Sequence, residues 1–141
     1  MTGPEQDSNS GNKRTLVDLV ATFKPAKNIL VLVNYDDGRE AVAGGTAVWS
    51  GAAGIVKYDF NDRYGLAVRV ESFDDKDGSR TGTAQTLTEV TVTPEVRLAG
   101  GLIVRPEYRH DSSDKLSFDL VNGAFTKKSQ DTIALGVMYN W

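Results

Sequence analysis

Three groups of residues in this chain have the types that chemistry needs. His110, Asp111 and Ser112 are those of a nucleophilic triad, and Asp74, Asp75, Asp77 and Gly78 are those of a cation-binding loop. The third group is larger: Asp18, Lys57, Arg69, Glu71, Glu89, Glu95, Arg97, Arg105, Glu107 and Arg109 each alternate with apolar neighbours. A triad needs side chains converging from separate segments, and three consecutive residues do not converge, so catalysis by the first group is not expected. The acidic loop lacks the full spacing of an EF-hand and has no Glu at its twelfth position, so it reads as an ordinary solvated loop. No Gly-rich phosphate loop or metal-ligand cluster is present, and neither enzymatic activity nor a metal or cofactor is expected. The third group has a different use. Opposite charges at alternate positions on neighbouring strands form cross-strand ladders, and such ladders can edge a lumen.

Composition narrows the setting of that charged group. The chain has 141 residues, 25% of them charged, with a net charge of -3. A pI near 5.1 does not suit a nucleic-acid partner, which wants a basic footprint. There is no cysteine, so disulfides and thiolate metal sites are absent. No run approaches the roughly 18 apolar residues of a spanning helix. A mean hydropathy of -0.32 is still compatible with a transmembrane barrel, whose strands average lipid-facing and lumen-facing side chains.

The positioning elements follow a period of two almost throughout. Residues 1–14 are polar and aperiodic and read as a flexible arm or outer loop without an apolar signal core. Strands are expected at about 15–23, 29–36, 47–60, 64–73, 86–98, 102–110 and 131–141, making 15–141 one domain. Short turns fall at 24–28, 61–63 and 99–101, and longer connections at 37–46, 74–84 and 111–130, with a small hairpin inside 116–125. Alternating short and long connections are those of an up-and-down barrel with tight turns at one end.

Alternation alone does not say which face meets water. The aromatics break the tie. Phe23, Tyr35, Tyr58, Phe60, Tyr64, Tyr108, Tyr139 and Trp141 lie on the apolar face, mostly near strand ends, as in the interfacial girdles of a lipid-facing surface. The ending Gly136-Val137-Met138-Tyr139-Asn140-Trp141 resembles the assembly signal of outer-membrane barrels, carried by Gly136, Tyr139 and Trp141. The polar residue that opens that signal would fall at Ala134, so the match is partial.

Several segments together resemble the outer-membrane β-barrel porins of the OmpL-like, porin-2 group, in their C-terminal portion. They include Thr15-Leu16-Val17-Asp18-Leu19-Val20, Asn34-Tyr35-Asp36, Gly51-Ala52-Ala53-Gly54 and Phe73-Asp74-Asp75-Lys76-Asp77-Gly78. Arg80-Thr81-Gly82, Glu89-Val90-Thr91-Val92-Thr93-Pro94-Glu95, Arg105, Glu107-Tyr108-Arg109-His110-Asp111, Ser113-Asp114-Lys115 and Lys128-Ser129-Gln130-Asp131-Thr132 complete them. The likeness covers nearly everything after residue 14.

The expectation is therefore an all-β, antiparallel up-and-down transmembrane β-barrel in the bacterial outer membrane. Seven strands are counted, and even strand numbers are the rule, so an eighth strand, a larger barrel or other copies of the chain are needed for closure. The lipid bilayer and the outer-membrane assembly machinery are the expected partners, and the ten charged residues the expected pore lining. Passive diffusion of ions or small polar solutes is the leading function. A structural or surface-interacting barrel with a plugged interior is one alternative, and a soluble β-barrel binding an apolar ligand is another.

Overall fold

The computed structural model of the protein describes residues 2–4 and 12–141. The strands are β1 (Thr2–Pro4), β2 (Lys13–Ala26), β3 (Ile29–Val42), β4 (Gly45–Asp59), β5 (Tyr64–Asp75), β6 (Gln85–Arg97), β7 (Leu102–Ser113), β8 (Phe118–Val121), β9 (Ala124–Lys127) and β10 (Ser129–Tyr139). One antiparallel sheet has the order β1-β2-β3-β4-β5-β6-β7-β10, and β8 and β9 form a separate hairpin. Seven long strands thus follow one another as a meander, as the alternation requires. The sheet is open rather than closed, with β1 and β10 at its ends.

Two expectations about the connections are corrected. The segment 37–46 is not a long loop: β3 and β4 pair through Val42 and Gly45, leaving a two-residue turn at Ala43 and Gly44. Gly44, at φ 85°, supplies the left-handed backbone that the turn needs. The pairing persists there because Gly38 has no side chain and lies opposite Trp49, whose ring covers it. The turn at 24–28 is also shorter, since β2 pairs as far as Ala26 across a bulge after Phe23. Pro25 has no N–H to give a ladder, and a bulge is where a strand accepts such a residue. Short and long connections therefore alternate from β4 onward, and the β3–β4 end projects as a hairpin.

The segment expected as an arm carries strand at 2–4, paired with the start of β2 from Lys13 to Thr15. The rest of that expectation, residues 5–11, lies outside the described residues. The expected small hairpin is present as β8 and β9. Asn122 (φ 49°) and Gly123 (φ 83°) turn it, the pair of left-handed residues that a two-residue hairpin favours.

Side chains segregate by face. Odd positions on β5, β6 and β7 point to the concave side, where the cavities lie, and even positions to the convex side. The convex face is apolar over seven equal stretches: 17–23, 29–35, 52–58, 64–70, 90–96, 102–108 and 133–139. One step further towards the long-loop end, the outward residues become Thr15, Asp37, Ser50, Ser72, Thr88, His110 and Asp131, polar on every strand. Among the described residues Ala47 and Trp49 are the buried apolar side chains, so most of the hydrocarbon is on the outside.

The register gives the strand inclination. The paired row Phe23, Val31, Val56, Val68, Val92, Tyr108 and Ile133 starts at the short-turn edge of the apolar band on β2. It reaches the far edge of the band on β7 and β10, a climb of about six residues over six strand spacings. At about 3.3 Å per residue and 4.8 Å per spacing, the strands lean about 35° from the band normal. That is the inclination a barrel wall requires.

Replacing Gly38 tests the local packing. Gly38→Val is expected to destabilise the β3–β4 hairpin by about 1–3 kcal/mol, because its side chain would occupy the space of the Trp49 ring. Equilibrium denaturation of the two proteins checks this, and equal stability would contradict the packing.

Candidate functional site: the charged concave face

The register brings all ten sequence-identified charged residues to one face. Glu89 lies opposite Glu71 and Asp111, Thr91 opposite Arg69 and Arg109, and Glu95 opposite Gly65. Two carboxylates act as hubs. Glu95 accepts hydrogen bonds from Lys57 Nζ at 3.1 Å, Arg97 Nε at 2.8 Å and Arg105 Nε at 2.6 Å. Arg97 continues to Asp59. Gly65 leaves room for this chain, since a side chain there would strike Asp59.

Glu89 is the second hub. Arg69 Nε donates to it at 2.8 Å, Thr91 donates from its hydroxyl, and Arg109 Nη2 lies 3.3 Å away. Arg109 also grips Asp111 through two nitrogens, and Gln130 Nε2 donates to the same carboxylate at 3.1 Å. Glu71 stands at the margin, 3.9 Å from Arg69. The hub carboxylates are buried, at 5% and 7% side-chain exposure, while Arg105 and Arg109 above them remain near 40%. Carboxylates thus lie at the wall and guanidinium groups lie over them.

Beside the Glu95 hub runs a cavity of about 600 Å³ that reaches from β3 to β10. Leu30, Leu32 and Ile55 line one side of it, and Lys57, Arg105 and Glu107 another. Asp18 sits apart from both hubs, on β2 directly opposite Asp36, and takes a hydrogen bond from Asn34 Nδ2 at 2.6 Å.

The long-loop end is narrowed by side chains whose roles the sequence did not reveal. Trp49 is flanked by the guanidinium groups of Arg14 and Arg80, 5.5 and 4.7 Å from its ring centroid, and Glu40 pairs with both arginines. Asp75 is fully buried and anchors the loop after β5, accepting from Arg80 N, Thr81 N and the Thr81 hydroxyl. Asp77 accepts from Val48 N at 2.7 Å. These acids fold the loop back on the sheet, the work of a structural anchor. Among the described residues no group of three or more acids or histidines could hold a metal ion. No periodic pattern marked this cluster, because Arg14 and Glu40 fall in segments that read as an arm and a loop.

The adjacent residues His110, Asp111 and Ser112 do not converge. His110 faces the convex side and meets Asp131 at 2.8 Å, with Tyr108 donating to the same carboxylate at 2.6 Å. Asp111 faces the concave side, and Ser112 pairs with Thr88.

The eight aromatics are all exposed. The strands are longer than expected, so Tyr35 and Tyr108 fall within them rather than at their ends. Both nevertheless close the apolar band on their strands, one outward step before Asp37 and His110. At the other edge Tyr58 and Phe60 pack edge to face at 5.0 Å, and the rings of Tyr139 and Trp141 lie 6.4 Å apart, tilted by 34°.

A meander with charge on the concave face and hydrocarbon on the convex face defines the antiparallel β-barrel class, here as an open sheet. The family model described as "Putative beta-barrel porin-2, OmpL-like" matches residues 1–141, and the chain belongs to that family. No curated protein and no solved structure matches the chain.

Two outcomes are expected. Glu95→Ala leaves three cations without their shared carboxylate and lowers stability by about 2 kcal/mol, discounted for the exposure of those partners. Glu71→Ala costs clearly less in the same urea titration, and the reverse order would contradict the hub. In the β8–β9 hairpin, the Lys127 ammonium 2.8 Å away holds the Asp119 carboxyl below its ordinary range. A depressed carboxyl contributes stability above its unfolded value and loses it as pH falls through the lowered one. Amide exchange across 118–127, corrected for its intrinsic pH dependence, should therefore lose protection below about pH 4.

Proposed function

We propose that this chain is an outer-membrane β-barrel wall whose concave face borders a path for passive diffusion of ions and small polar solutes. The face segregation carries the reading. A soluble ligand-binding barrel would turn hydrocarbon inward and charge outward, and here the two are exchanged. The convex stretches are about 20 Å long along each strand, and flanking aromatics extend them towards the band of about 25 Å that barrels present to lipid. A strand lean of about 35° supports the same setting. In lipid the edges of β10 and of β2 beyond Thr15 need partners, because each unpaired backbone group costs several kcal/mol there. They would pair with each other or with strands of further copies. The exposed β10, with Gly136, Tyr139 and Trp141, is the segment that assembly machinery would take up.

The plugged barrel is a second reading with its own observation. The hub carboxylates are satisfied by neighbouring cations, and about eight strands closed on themselves are filled by side chains. A wider closure would leave water beside the same ladders. Membership of a porin family favours the channel over both a plug and catalysis.

A heat-modifiable shift on semi-native gels and dependence on detergent are expected for the refolded protein. A stable monomer in plain buffer would refute the membrane assignment. Conductance in planar bilayers separates channel from plug, and silence from a folded sample would remove the diffusion reading. Val68→Arg, in the middle of the convex band, should cost about 2–4 kcal/mol in vesicles, and Ser72→Arg, beyond the polar edge, about 0–1. Equal costs by urea unfolding in vesicles would mean that the band does not face lipid.

A further inference from the structure

The diffusion reading leaves open which charge would pass, and the concave face carries an imbalance that bears on it. Between the level of Trp49 and the short turns the wall carries five cations, Lys57, Arg69, Arg97, Arg105 and Arg109, against eight carboxylates, a formal net of -3, while at the mouth Arg14 and Arg80 offset Glu40 and Asp75. Every one of the five cations lies within 4.0 Å of a carboxylate. Three of these eight carboxylates have no such cation among the described residues. Asp18 and Asp36 face each other across β2 and β3 with their carboxyl groups in hydrogen-bonding contact, Asn34 Nδ2 donates to Asp18, and Glu107 takes the Thr93 hydroxyl at 3.1 Å.

We propose that this wall prefers cations, and that Asp18, Asp36 and Glu107 set the preference. The exposed guanidinium groups over buried Glu89 and Glu95 argue for anions at contact distance. Each such group, however, forms a dipole with its carboxylate, and a dipole's field falls off faster than that of a single charge. Uncompensated charges act out to about 8 Å at physiological salt, far enough to set the mean potential in a narrow lumen. Like charges directly opposite on neighbouring strands repel, so the Asp18–Asp36 pair also gains from a mobile cation beside it. The surplus therefore outweighs the orientation of the ion pairs.

The inference rests on the diffusion reading, and one experiment separates their failures. The refolded full chain is inserted into planar bilayers, and the reversal potential is read across a KCl gradient. A conducting channel that favours potassium over chloride is expected. Asp18→Asn with Asp36→Asn, and separately Glu107→Gln, should lower the permeability ratio by about twofold per charge removed. Asp37→Asn, which neutralises an acid on the convex face, should leave it unchanged. A conducting channel that favours chloride, or a ratio indifferent to all three concave substitutions, would overturn the cation preference alone. Silence from a folded sample would overturn the diffusion reading and this inference with it.

Discussion

On a β-strand, successive side chains point to opposite faces, and in this chain that alternation separates charge from hydrocarbon across seven strands in register. Everything else depends on the register holding. A slip by one residue on β6 would carry Glu89 and Glu95 to the convex side and Val90 and Val92 onto the ion-pair face. The hubs oppose such a slip. Each buried carboxylate is held by side chains from more than one strand, so displacing β6 would leave charges without partners on several neighbours at once.

The same constraint explains the uneven ends of the sheet. Where connections are short, strands end in a few residues and aromatics close the band. Where they are long, the chain folds back over the concave face instead of standing free. Asp75 turns the loop after β5 inward, and Ser113 and Ser117 meet Gln85 so that the last long connection leans on the same place. Trp49 fits beneath this because Gly38 concedes the space, one glycine whose absence of side chain shapes the mouth.

Much of this was legible in the sequence, and particular residues show why. Val68, Arg69, Val70 and Glu71 announce face and period directly, and the ten concave charges were legible for the same reason. Pairing beyond the apolar stretches was not. The segment from Asp37 to Thr46 has glycines, charges and small residues, the composition of a loop, yet it pairs because Trp49 and the Arg14–Glu40 ion pair hold its two arms. Those contacts join residues distant along the chain, and periodicity within a window does not register them. Asp75 misled in another way: with its neighbours it reads as part of a solvated loop, and it is instead fully buried and accepts from the backbone amides of its own turn. The openness of the sheet is likewise a property of edges, about which a strand's own pattern says nothing.

The central claim is that convex side chains meet lipid and concave ones do not. The chain has no cysteine, so single cysteines can be placed along β5 at Leu66, Ala67, Val68, Arg69, Val70 and Glu71 and labelled with a fluorophore in lipid vesicles. Quenching by a nitroxide held within the bilayer should alternate, strong at 66, 68 and 70 and weak at 67, 69 and 71. Uniform quenching along the strand, or strong quenching at the odd positions, would contradict the account.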